Sequence, residues 1–426
     1  MIPLPAFLDR LRKTDFWARV LPSDYKIPTH GNDFFYCLGG IVAIGFFIMI
    51  GTGLLLTQVY NPAPDAAYES LQTMQQNGLI SYLRALHYWV AQGMIIALLL
   101  HLARVFITGA YKCPRQATWW VGVTLLAIML MGSYFTGTIL KWDEEGLDAL
   151  SHYREALMRL GPIGAMLTES LSGSAPMNFR VYVSHITIFP LLLISLIGLH
   201  IYLIRVFRLS PTPSDQWADQ IDIPESEMRA TFHGHGKNVA AFAMLYYGWL
   251  AVLAFFLRAP LGGPPTLDHG ALKPPWPFLW MYGFENKWGI VSVVYASSIF
   301  FVLLALIPLL DRQQDRRFRA RKGILTLGAI VAIALFGLTL HGYITPPQIH
   351  LSHHTHGGED GHNEQGGGER QSEPPTDIRR GGDPISLPGE KTDAGSSHPR
   401  KGNGLRHVPH DAQEGHQEET HSHAGE

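Results

Sequence analysis

The chain has 426 residues, 33 Lys and Arg against 35 Asp and Glu, and a formal net charge of −2. So even a balance leaves no electrostatic footprint for nucleic acid. The two cysteines, Cys37 and Cys113, come without a CxxCH motif, which excludes a disulfide framework and an ordinary c-type haem attachment.

Taken in chain order, the N-terminus lacks a short apolar core with a small-residue cleavage site, so no cleavable signal is expected. Phe7, Leu8, Leu11, Trp17 and Val20 alternate instead with Arg10, Arg12, Lys13 and Arg19, the pattern of an amphipathic helix on a membrane surface or of a solvated helical arm. Seven long apolar segments follow, near residues 34–57, 82–108, 118–140, 182–205, 238–257, 289–310 and 323–343. Each approaches the roughly 20 residues a membrane span requires.

Two of these segments carry two histidines each, His87 and His101 on the second, His185 and His200 on the fourth. Fourteen residues of helix rise about 21 Å and fifteen about 22 Å, returning each pair to within roughly 40 to 60° of one face. If the two helices lie side by side, His87 faces His185 and His101 faces His200, and each couple can bind one haem iron axially. A lone histidine in a membrane helix is commonly just a polar contact; four in matched register point to function.

The connections are asymmetric. The segment DRQQDRRFRARK between spans six and seven carries Arg312, Arg316, Arg317, Arg319, Arg321 and Lys322, and the N-terminus and second loop are also basic. By the positive-inside rule these ends are cytoplasmic, with His87 and His185 toward the outer side. Residues 141–181 and 258–288 form long outer loops, a length that is usually functional or folds into surface helices. Trp142 in the first and Trp276, Phe278, Trp280, Tyr282 and Phe284 in the second suit either an interfacial aromatic belt or an apolar pocket for a flat ring such as a quinone. From about residue 344 the chain is polar, with eleven histidines including His350, His353, His354, His356 and His362. It is expected to be disordered and to lie outside, and such a tract can bind metal without fixed geometry.

The runs NDFFYCLGG (Asn32 to Gly40), IGTGLLLTQVYNP (Ile50 to Pro62), LRALHYWVAQGM with LLLHLARVFITGAYKCPRQATW (Leu83 to Trp119), and FRVYVSHITIFPLLL with GLHIYLIR (Phe179 to Arg205) resemble cytochrome b of the quinol:cytochrome c oxidoreductases. The fifteen-residue histidine step resembles the chloroplast and cyanobacterial type, with a subunit-IV-like part fused. The resemblance covers about residues 5–345. It implies an all-α integral membrane protein: a cytoplasmic arm at 1–33, a haem-binding four-helix domain at 34–210, a three-helix subunit-IV-like domain at 211–343 with part of the quinol site, and the tail at 344–426.

The resemblance further makes His87 and His185 ligands of an outer haem and His101 and His200 ligands of an inner one. Arg84 and Arg104 would pair with haem propionates. Gly39, Gly53 and Gly137 would admit the porphyrin, although such glycines also serve ordinary helix packing. Cys37 matches the cysteine that covalently holds an extra haem in chloroplast-type complexes, while a buried cysteine is otherwise a small apolar side chain. Where the family carries proline-glutamate-tryptophan-tyrosine at its outer quinol site, the chain reads Pro274, Pro275, Trp276, Pro277, so Pro275 stands in place of the proton-accepting glutamate. Asp143, Glu144 and Glu285 are candidate replacements in a pocket expected to include Trp142, Phe278 and Tyr282. KWDEE (Lys141 to Glu145) also departs from the family, which has proline before this tryptophan.

The implied function is a cytochrome b subunit, in a bacterial cytoplasmic membrane, that passes electrons from quinol through its haems to a cytoplasmic-side quinone and is coupled to proton translocation. The implied partners are a Rieske-type iron-sulfur protein, a c-type cytochrome and a second copy of the complex, since the chain has no cysteine cluster for an iron-sulfur centre. Two other classes stay open: a diverged electron-transfer anchor that handles quinone without bifurcation, kept alive by Pro275, and a non-catalytic haem-binding scaffold or transporter.

Overall fold

The computed structural model describes residues 26–159, 161, 162, 164, 176–266, 272–289 and 291–346. The N-terminal arm and the histidine-rich tail expected from the sequence lie outside these residues. Ten helices are used below: α1 (Phe34–Leu56), α2 (Ala67–Gln76), α3 (Gly78–Thr108), α4 (Gln116–Ile139), α5 (Glu144–Met158), α6 (Met177–Phe207), α7 (Phe232–Phe256), α8 (Leu279–Trp288), α9 (Val291–Leu310) and α10 (Lys322–Ile344). A two-residue antiparallel pairing of β1 (Lys26–Ile27) with β2 (Ala230–Thr231) is the described sheet structure.

Seven of the helices, α1, α3, α4, α6, α7, α9 and α10, are long and apolar enough to cross a membrane. Their boundaries follow local chemistry. The Asn77 side chain accepts from Ile80 N at the start of α3, and Gly109, at φ +65°, closes its end in the left-handed region. Thr231 caps α7 through Gly234 N and Asp143 caps α5 through Gly146 N. Three shorter helices occupy connections between the spans: α2 lies between α1 and α3, α5 lies in the long connection 141–181, and α8 in 258–288.

One apolar core joins the spans: Ile41 and Phe46 of α1, Val90 and Ile95 of α3, Leu126 and Met129 of α4, Leu193 of α6, and Val239 and Tyr247 of α7. Helix α7 packs against both α1 and α3, and α9 against α4. The outward faces stay apolar, with Leu245, Phe255, Leu303, Ile333 and Phe336 exposed, as helices surrounded by hydrocarbon require.

Helices α4 and α6 each contain one π-helical turn, Ile128–Tyr134 and Ser184–Ile188, whereas α1 and α3 are regular throughout. An i→i+5 turn holds one residue more than an α turn. This difference sets the register of the site.

Candidate functional site

Two cavities lie along the axis of α1, α3, α4 and α6, one at each end. One, about 370 Å³ and termed outer after the orientation expected from the sequence, is lined by His87 and His185 together with Gly53, Arg84, Tyr88, Gln92, Tyr134, Gly137, Lys141, Glu145, Pro275 and Trp276. The inner one, about 110 Å³, is lined by His101, His200, Tyr36, Arg104, Arg115, Thr118 and Gly122. The structure therefore pairs the histidines as their spacing predicts.

The imidazoles of His87 and His185 stand with ring centres 6.5 Å apart and planes at 64°. A metal held between two imidazole nitrogens at about 2 Å each separates the ring centres by about 6 Å, so the pair is spaced for one iron. Their outward nitrogens are fixed: Thr52 Oγ1 is 2.9 Å from His87 Nδ1 and Thr136 Oγ1 is 3.0 Å from His185 Nδ1. Each threonine hydroxyl donates to a backbone carbonyl of its own helix, Thr52 to Ile48 O at 2.9 Å and Thr136 to Gly132 O at 2.6 Å. The hydroxyl oxygens thus accept from Nδ1–H, which leaves both Nε2 lone pairs for a metal.

Every one of the four histidines lies against a glycine of a neighbouring helix. A Cβ on Gly53 would stand 3.3 Å from His87 Cε1, on Gly137 3.1 Å from His185 Cε1, on Gly39 2.9 Å from His101 Cε1, and on Gly122 3.3 Å from His200 Cε1. Gly39 and Gly53 are fourteen residues apart, like His87 and His101; Gly122 and Gly137 are fifteen apart, like His185 and His200. The fifteen-residue steps run on the two helices with a π turn, and the extra residue is absorbed there. This brings the fifteen-residue steps toward the rise of the fourteen-residue ones.

No cluster of three or more His, Cys, Asp or Glu side chains able to hold a bare metal ion occurs among the described residues. Paired imidazoles, with Nε2 left free in the His87–His185 pair, glycine cradles and mostly apolar walls fit instead an iron carried in a flat ring, a porphyrin. Arg84 lines the outer cavity, with Nη1 and Nη2 donating to Ala259 O at 3.0 Å and Pro260 O at 2.6 Å. Arg104 lines the inner one, its guanidinium 4.7 Å over the Tyr36 ring and Nη2 3.4 Å from His101 Nδ1.

The other sequence candidates separate. Pro275 and Trp276 line the outer cavity, and Trp276 Nε1 donates to Gln92 Oε1 at 2.6 Å, which also accepts from Tyr134 OH at 3.1 Å. Pro274, Phe278 and Tyr282 do not line it; Phe278 is buried edge-on to Tyr134 and Phe135. Trp142 is buried at φ +48°, its Nε1 donating to Pro64 O at 2.7 Å. Asp143 is fully buried and committed: Oδ1 accepts from Gly146 N at 2.9 Å, Oδ2 from Gly262 N at 2.8 Å, with Lys141 Nζ at 3.1 Å. Glu144 lies against Gly263, away from the cavity. Glu285 accepts from His152 Nε2 at 2.6 Å, a pair that ties α5 to α8. Cys37 is fully enclosed, its Sγ 3.9 Å from Gly31 O and 3.8 Å from Asn32 O.

The sequence reading missed Gly122, although its fifteen-residue step to Gly137 was visible. It also missed Gln92, Thr52 and Thr136, which carry no pattern until neighbouring helices are docked.

Residues 92–264 match the family model described as cytochrome b (N-terminal)/b6/petB. Cytochrome b6 of Heliobacterium mobile is 35% identical over 193 residues, 44% of this chain and 90% of the relative. That of Synechococcus sp. (strain WH7803) is 34% identical over 204 residues, 47% of this chain and 92% of the relative. In fold, the chain is similar to a chain of a hyperthermophilic respiratory Complex III, with a TM-score of 0.64 at 23% identity over 81% of this chain and 92% of that one. The described fold, the matched histidine pairs and these relatives agree: the chain belongs to the bc-type cytochrome b family, membrane-embedded subunits of electron-transport complexes.

Proposed function

We propose that the chain is the haem-bearing subunit of a quinol:cytochrome c oxidoreductase. It holds two b haems, one between His87 and His185 and one between His101 and His200, with Arg84 and Arg104 near the propionates. The observation that carries this reading is the pairing of four histidines with four glycines at matched steps, which supports two porphyrin sites stacked along one bundle. When bound, the haems supply one-electron carriers at two depths of the membrane. The chain's own part is to hold the His87 and His185 imidazoles in the tautomer that exposes Nε2, to keep the two sites dry, and to enclose a flat apolar substrate beside the haem, at the part of the outer cavity formed by Pro275 and Trp276. Quinol is oxidised there, and a quinone is reduced near the cytoplasmic side, with proton translocation as the consequence.

The proposed orientation puts the basic connection between α9 and α10 in the cytoplasm of a bacterium and the tail outside. The proposed partners are a Rieske-type iron-sulfur protein and a c-type cytochrome, in a dimeric complex. A third haem, thioether-linked at Cys37, belongs to the same reading, and the enclosed thiol sets its condition: the turn Thr29–Asn32 has to move off Sγ. Haem staining of the denatured chain tests it, and Cys37→Ala should remove the label. Pro275 keeps a second reading in view, a b-type anchor that handles quinone without bifurcation.

Steady-state reduction of cytochrome c by quinol in the purified complex tests the main reading. Turnover sensitive to an outer-site inhibitor is expected. Its absence, with haems intact, would leave the anchor reading.

A further inference from the structure

The outer cavity lacks the motif glutamate, and the geometry points to Glu145 as the group that takes the proton from quinol in its place. This inference rests on the quinol reading above.

Elimination narrows the choice. Asp143 has both oxygens engaged by backbone N–H groups, Glu285 is bonded to His152, and neither lines the cavity, nor does Glu144. Glu145 does line it, in the first turn of α5, as do Pro275 and Trp276. Lys141, four residues earlier in the turn that precedes α5, also lines the cavity and donates from Nζ to Glu145 Oε2. Burial alone would push the Lys141 ammonium down, but the carboxylates of Glu145 and Asp143 outweigh it and hold it above its ordinary value, so it stays charged. Oε1 of Glu145 has no protein donor among the described residues. One oxygen of the carboxylate is therefore engaged by a fixed cation while the other is open to a substrate hydroxyl. Its side chain is 29% exposed, enough for a proton received from the cavity to reach outer water.

The step balances as follows. Quinol oxidation breaks two O–H bonds and releases two electrons and two protons. The electrons leave singly to iron acceptors of the complex, a haem of this chain and an iron-sulfur partner. For one hydroxyl, the quinol O–H breaks, an O–H forms on Glu145 Oε1, and Lys141 remains an ammonium. Neutral Glu145 is held less tightly by Lys141, turns outward, and releases its proton to water.

The test uses the purified complex, a short-tailed quinol analogue and cytochrome c. Glu145→Gln should lower kcat by about 100-fold, the scale of a positioned general base, with haem absorbance unchanged. Glu145→Asp should restore a large part of the rate, and the residual rate of Glu145→Gln should climb with pH as solvent replaces the base. If Glu145→Gln fails to assemble, Lys141→Gln with Glu145→Gln removes both charges together and is read the same way. A glutamine variant that turns over within about threefold of an inhibitor-sensitive wild type overturns the assignment and leaves the quinol reading standing. A wild type that does not oxidise quinol at all overturns both.

Discussion

Replacing His152 by alanine should uncouple α5 from α8, and do so in a pH-dependent way. His152 on α5 and Glu285 on α8 meet at 2.6 Å, with side chains 22% and 6% exposed. Burial by itself would lower the His152 pKa; the hydrogen bond and charge of Glu285, with Asp148 behind, outweigh it and raise it from 6.5 to about 9. At about 1.4 kcal/mol per pH unit this interval is worth about 3 kcal/mol. Because the folded value lies above the unfolded one, the stabilisation is complete below pH 6.5, declines above it, and is nearly gone by pH 9. Hydrogen exchange of 144–158 and 279–288, corrected for intrinsic rates, reads this as an opening equilibrium. Wild-type protection should fall by about two orders of magnitude between pH 6 and pH 9.5. His152→Ala should be weakly protected and flat across the same range. Identical pH profiles for the two proteins would refute the pairing.

Other consequences follow from the same contacts. Gly122→Val and Gly39→Val place branched side chains against His200 and His101 and should cost the inner b haem, seen as one extractable b haem per chain in place of two with the outer haem's absorbance retained. Thr52→Val removes the acceptor from His87 Nδ1, makes that imidazole a weaker donor, and should raise the midpoint potential of the outer haem in a redox titration. Asp311 accepts from Tyr111 OH at 2.7 Å, Lys112 Nζ at 2.5 Å and Arg321 Nε at 2.9 Å. Asp311→Ala strands those buried donors and should destabilise the inner end by about 3 to 5 kcal/mol, measured as a lower thermal denaturation temperature in detergent.

How much of this was legible depends on whether a signal is local. Spans and histidine registers follow from helical rise and hydropathy, so the seven helices and the pairs His87–His185 and His101–His200 could be read from the chain. The π turns could not, since nothing in Ile128–Tyr134 or Ser184–Ile188 marks an extra residue; only the fifteen-residue steps on α4 and α6 hint at it. Carboxylates were least legible. Asp143, Glu144 and Glu145 are adjacent, and the backbone conformation after Trp142 decides that the first is buried as a cap while the third faces the cavity. The basic run before α10 is legible as charge that orients the spans, but not in its packing: Arg316 and Arg321 are buried, their guanidiniums donating to carbonyls of Gln220, Ile107 and Phe106.

The central claim is that each matched histidine pair holds one b haem. Haem content and redox titration of the purified chain with His200→Leu test it most directly. The account predicts two non-covalent, acid-extractable b haems in the wild type and one in the variant, with the haem at His87 and His185 keeping its spectrum and potential. A variant that retains both haems, or a wild type with fewer than two, would contradict it.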